Sequence, residues 1–124
     1  MNIHFQIIHP RDFLIAKANG VLDKVASISV LAKIVEDHPE GEDLLIDLRK
    51  IEKFATSMLD VIEIITYMIE NRKVFRYKIA IVGNINRVKQ PEFVENFAFN
   101  RGLNLKIFGD FEEAIMWLMR TSSQ

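Results

Sequence analysis

Apolar residues recur along this chain with two periods, and the switching between them predicts its elements. Ile3, Phe5 and Ile7 alternate with His4 and Gln6, the period-two pattern of a half-buried strand, which His9, Pro10 and Arg11 break. Phe13 to Ala18 forms a second strand, and the short turn before it calls for an antiparallel pair, because a parallel pair needs a longer crossover. Asn19 and Gly20 are expected to end that strand. From Asp23 to about Asp37, Val25, Ile28, Leu31, Ala32 and Val35 repeat at three- and four-residue steps. That spacing predicts an amphipathic helix, stopping before Pro39 and Gly41.

The next stretch is the most apolar. Leu44, Leu45, Ile46 and Leu48, interrupted only by Asp47, predict a strand covered on both faces, followed by a short loop. Met58, Val61, Ile62, Ile65, Met68 and Ile69 then follow at helical spacing, with Leu59 and Ile64 widening the stripe, so this helix is expected in the core. Thr56 and Ser57 mark its start; Ser57 is the better-spaced cap, with Asp60 as its capping-box partner.

Tyr77 to Val82 predicts another buried strand, closed by a turn at Gly83 and Asn84. Pro91 suits the first turn of a helix carrying Phe93, Val94, Phe97 and Ala98, which Gly102 can end in a left-handed conformation. Leu103 to Phe108 returns as a strand. Asp110 and Glu113 open a last helix with Phe111, Ala114, Ile115, Leu118 and Met119, after which Thr121 to Gln124 should fray. The order β-β-α-β-α-β-α-β-α predicts an α/β fold, with a mixed, mostly parallel sheet of about five strands and about four helices.

Composition narrows the function classes. At 124 residues one domain, 1–124, is expected. Sixteen basic and seventeen acidic residues, a formal charge of −1, argue against a nucleic-acid footprint over the whole domain. The absence of cysteine removes disulfides, thiol nucleophiles and thiolate metal sites. His4, His9 and His38 lack paired metal-ligand spacing, and no metal or cofactor is expected. No Gly-rich phosphate loop, Gly-x-Ser-x-Gly elbow or His-Glu-x-x-His occurs, so the expectation is a non-enzyme. With neither a signal-like segment nor a membrane-spanning apolar run, a cytoplasmic location is expected.

With that order of elements, the chain resembles the STAS fold of anti-sigma-factor antagonists, and within it the SpoIIAA-like group. Gly20-Val21-Leu22-Asp23 is similar to the family's Gly-x-Leu-Asp signature, and Ala26 also fits. Asp47-Leu48-Arg49-Lys50-Ile51-Glu52-Lys53-Phe54 is similar to its strand and loop, and Phe111 to Leu118 to its closing helix. The functional turn, typically Asp-Ser-Ser/Thr-Gly-Leu with a hydroxyl phosphorylated by a partner kinase, falls on Ala55-Thr56-Ser57-Met58-Leu59. Ala55 stands where the family has aspartate, and Met58 where it has glycine. The resemblance implies a regulatory protein-interaction module, with Thr56 by position as phosphoacceptor and Ser57 as the second candidate. Its partner, a kinase or other regulatory protein, would dock at Phe54, Ala55, Thr56, Ser57 and Met58, with Gly20 and Asp23 nearby.

Each candidate also has a plain structural reading. Thr56 and Ser57 are residue types that cap helices. Asp47, at a strand end, can hydrogen-bond nearby backbone rather than act chemically. The basic run Asn71 to Lys78, which Arg87 and Lys89 could join, suits phosphate or RNA contact but also suits a helix C-terminus. The wide apolar face of the central helix, with Phe93, Phe97, Phe99, Phe108, Phe111 and Trp117, is either core, a homodimer surface or the lining of a pocket for a small apolar, lipid- or nucleotide-like ligand.

Overall fold

A computed structural model describes residues 3–10, 12–84 and 90–120. Its elements are β1 (Ile3–Ile8), β2 (Phe13–Asp23), α1 (Lys24–Asp37), β3 (Asp43–Ala55), α2 (Met58–Glu70), α3 (Arg72–Phe75), β4 (Lys78–Val82), α4 (Pro91–Phe99), β5 (Asn104–Phe108) and α5 (Phe111–Met119). The five strands lie in the order β1-β2-β3-β4-β5, with β1 antiparallel to β2 and the remaining pairs parallel. The α/β class and the mixed sheet expected from the sequence are therefore present.

Helices cover both faces. On one, Val30, Leu31 and Ile34 of α1, Ile65 and Met68 of α2 and Val94 and Ala98 of α4 pack on Leu14, Leu44, Ile79 and Leu105 of the sheet. On the other, Ala114 and Leu118 of α5 pack on Phe13, Ile15, Leu45, Ala80 and Phe108. The uninterrupted apolar run in β3 follows from this double cover, since Leu44 and Leu45 face opposite layers and both are buried.

Two strands run further than their sequences suggested. Asn19 and Gly20 do not end β2, which continues to Asp23. Gly20 adopts φ +104° at a register shift, so the chain twists and resumes pairing where a side chain would be strained. The stretch expected to be a loop after Leu48 is the second half of β3, where Val21, Leu22 and Asp23 pair with Lys53, Phe54 and Ala55. Its charged composition, with Arg49, Lys50, Glu52 and Lys53 exposed, conceals a strand whose register is set by its partner.

Three further expectations are corrected. Among the described residues the helix count rises to five, because Arg72–Phe75 in the basic run forms the short α3, with Val74 and Phe75 buried. The buried stripe of α1 runs through Ala26, Val30, Leu31 and Ile34, leaving Val25 and Ala32 exposed; small Ala26, rather than Val25, sits against the sheet. Leu59 does not widen the buried face of α2 but is 63% exposed in its first turn.

Candidate functional site

The ends of β2 and β3 lead into α1 and α2, and their register brings together two segments far apart in sequence. Leu22 lies opposite Phe54 and Asp23 opposite Ala55, so Gly20–Asp23 borders the turn that starts α2. Asp23 caps α1, its Oδ1 accepting the Ala26 N–H at 2.8 Å, and Ser27 Oγ donates to the Asp23 carbonyl at 2.8 Å. Ser57 caps α2. Its Oγ accepts the Asp60 N–H at 3.1 Å, while Asp60 Oδ2 accepts the Ser57 N–H at 3.0 Å, a complete capping box. Lys24 Nζ donates to Glu63 Oε1 at 2.6 Å, tying the first turn of α1 to α2; this bond and the carboxylate charge raise the Lys24 pKa.

Behind this junction lies a cavity of about 230 Å³ between the sheet and helices α1, α2 and α4. Its buried floor includes Leu31, Ile65, Met68, Val94 and Leu105, and its other walls include Phe5, Leu22, Leu48, Phe54 and Met58. Ser27, Thr56 and Ser57 are its only polar lining residues among those described. Ser57 is exposed and Thr56 half-buried, which sets the hydroxyls at the mouth. Met58 is half-buried and packs on the core cluster from the cavity wall, while the neighbouring Leu59 faces solvent.

Of the expected site residues, Phe54, Thr56, Ser57 and Met58 share the cavity wall, Ala55 lies exposed beside them, Asp23 is half-buried at its cap and Gly20 is buried within the sheet. The aromatic set expected to line a pocket does not do so. Phe108, Phe111 and Trp117 belong to the opposite layer, Phe93 and Phe99 are exposed, and Phe97 stacks on Phe93 with ring centroids 6.1 Å apart. Phe5 and Phe54 are the lining phenylalanines. The contribution of Phe5 depends on which face of β1 meets the helices, and that of Ser27 on how α1 is rotated; neither is visible in a local motif.

Asp47 is buried at 6% exposure on the α5 face of the sheet. Both its oxygens accept from the Arg49 guanidinium at 2.9 Å, and Oδ1 also accepts the Arg49 N–H at 3.1 Å. Burial by itself raises its pKa, but these bonds, the Arg49 charge and Lys17 outweigh burial and hold the carboxyl below its ordinary value. Arg49 in turn lies over the Phe111 ring with Cζ 4.2 Å from the centroid. Asp47 therefore lies within β3 rather than at a strand end, and its ion pair with Arg49 links the middle of β3 to Phe111 of α5.

The basic run serves helix ends. Lys78 Nζ donates to the carbonyls of Trp117 at 2.9 Å and Arg120 at 2.6 Å, at the C-terminus of α5, and Arg72 Nε donates to the Ile69 carbonyl near the end of α2. Arg87 and Lys89 lie outside the described residues. Among the described residues, no group of three or more His, Cys, Asp and Glu could hold a metal ion, and no helix is long and apolar enough to cross a membrane.

Solved structures share this arrangement over almost its whole length. An anti-sigma factor antagonist from Mycobacterium paratuberculosis superposes with a TM-score of 0.68 at 13% identity, covering 96% of each chain. The chain has a SpoIIAA-like, STAS-type fold. An uncharacterized protein with a SpoIIAA-like fold from Shewanella loihica matches with a TM-score of 0.58 at 22% identity, over 94% of this chain and 93% of the other. A candidate anti-sigma factor antagonist from Thermotoga maritima matches with a TM-score of 0.56 at 16% identity, over 94% and 95%. No family model and no curated protein matches the sequence.

Proposed function

We propose that this protein is a non-enzymatic regulatory module, one domain over residues 1–124, that docks a partner protein at the junction of β3 and α2. The observation that carries this reading is the pair of exposed apolar residues at neighbouring helix starts, Leu59 at 63% in α2 and Val25 at 71% in α1, beside the Phe54–Met58 turn. Large apolar side chains gathered at one end of a domain suit a protein surface rather than solvent. Solved structures named as anti-sigma factor antagonists share the fold, which supports a protein partner, a kinase or other regulatory protein. A non-enzymatic role is supported by the same neighbours, whose names describe antagonists rather than catalysts, and by Asp47 being bound to Arg49. Of the two hydroxyls, Ser57 is the better phosphoacceptor by exposure. A phosphate there would stand against the Asp60 carboxylate and break the capping box.

The test compares partner capture from the protein's own host by wild type, Leu59→Asp and Met116→Asp, the last altering an exposed residue on α5. A specific partner retained by wild type and Met116→Asp but lost with Leu59→Asp is the expected result. Retention by folded Leu59→Asp would reject the surface.

A second reading, a carrier or sensor of a small apolar ligand held between helices and sheet, is favoured by the cavity itself. Its volume of about 230 Å³ exceeds that of an apolar cavity known to take up benzene, at about 150 Å³.

A further inference from the structure

The lining of the cavity constrains what it can hold. Its floor is hydrocarbon and thioether, supplied by Leu31, Ile65, Met68, Val94 and Leu105. At about 30 Å³ for a water-sized group, about 230 Å³ accommodates roughly eight methylene-sized groups. Such a chain satisfies the floor, which offers no polar partner.

The mouth selects the head group. Ser57 Oγ accepts the Asp60 N–H, so its own O–H hydrogen remains to be donated. Ser27 Oγ donates its hydrogen to the Asp23 carbonyl, so its lone pairs remain to accept. The rim therefore offers both a donor and an acceptor, the complement of a hydroxyl. No ionisable residue lines the cavity among the described residues, and Asp23 and Asp60 each hold a helix cap with one carboxylate oxygen. A charged head at these hydroxyls would give up its hydration with no counter-charge in the described lining, whereas a hydroxyl is satisfied by the donor and the acceptor there.

We infer that the cavity is a binding site for an uncharged single-chain amphiphile of about eight carbons, its tail among Ile65, Met68 and Leu105 and its hydroxyl at Ser27, Thr56 and Ser57. This rests on the second reading above and adds to it the class of ligand.

The test is a methyl NMR titration of the intact protein with 1-octanol, sodium octanoate and octylammonium chloride at pH 7.5. With 1-octanol, saturable shifts are expected in the methyls of Leu31, Ile65 and Met68, while Ala114 and Leu118 in the opposite layer stay in place. Octanoate and octylammonium should bind at least tenfold more weakly. The cavity-filling variants Val61→Phe and Ile64→Phe, whichever retains the wild-type methyl spectrum in the opposite layer, should weaken 1-octanol at least tenfold. No saturable shift with any of the three compounds overturns the ligand reading itself. Octanoate or octylammonium binding as tightly as 1-octanol leaves that reading intact and overturns the uncharged head group.

Discussion

Ser57 joins the fold to the proposed function, and its structural role can be measured separately. Ser57→Ala removes the acceptor for the Asp60 N–H and half of a reciprocal pair whose bonds are 3.1 and 3.0 Å. Loss of an N-cap side chain costs about 1 kcal/mol, within a range of about 0.5–2. The box is solvent-exposed, so water can partly replace the lost bond, which keeps the expectation near the middle of that range. Unfolding entropy of about 2.1 cal/mol/K per residue gives roughly 0.26 kcal/mol/K for a chain this long, so Tm should fall by about 4 °C. Ser57→Asn supplies an equivalent cap without a charge against Asp60 and should stay within about 0.5 kcal/mol of wild type. Urea titrations of the three proteins, with equal m-values as the check that only stability has changed, measure both differences. An unchanged midpoint for Ser57→Ala would refute the capping assignment. Stability lost equally by Ser57→Ala and Ser57→Asn would show that the hydroxyl acts through something other than the cap.

Other expectations follow from particular contacts. Gly41 has φ +75°, and a Cβ there would lie 2.8 Å from Val74 Cα and closer still to its carbonyl oxygen, so Gly41→Ala combines left-handed strain with a backbone clash and should cost about 3 kcal/mol or more. Gly83→Ala, whose Cβ would meet Leu48 Cβ at an ordinary 3.5 Å, is the control, and equal midpoints in calorimetry would refute the contrast. Asp47→Asn should cost about 1–2 kcal/mol at neutral pH, the charged hydrogen bonds being partly screened where Arg49 is exposed. Because the folded Asp47 pKa is depressed, that contribution is present above the unfolded carboxyl value and is lost as pH falls through the folded one. The wild-type advantage should therefore shrink below about pH 4, and a gap constant down to pH 2 would contradict the ion-pair assignment. In protein from its own host, fragment mass spectrometry across Phe54–Asp60 should find any phosphate on exposed Ser57; modification of half-buried Thr56 alone would count against the geometry.

Local sequence determined much of this protein. Ile3–Ile7 reads as a strand because one face of β1 is packed and the other wet, and Leu44–Ile46 because both faces of β3 are covered. Ser57 with Asp60, Asp110 with Glu113 and Gly102 mark helix ends through short-range bonds and a backbone conformation, φ +92° at Gly102, that their own chemistry imposes. What only tertiary structure decided is whatever depends on a distant partner. The second half of β3 is a strand because Val21–Asp23 pair with it, and its charged residues carry no period that would reveal this. Val25 and Leu59 match the apolar stripes of their helices, yet both face outward, because the stripe a helix buries is chosen by its tilt against the sheet. The cavity is further from local sequence still: β1, β2, β3, β4, β5 and three helices each supply part of its wall. A void is what packing leaves unfilled, so its size, its apolar floor and its hydroxyl mouth belong to the assembled layers.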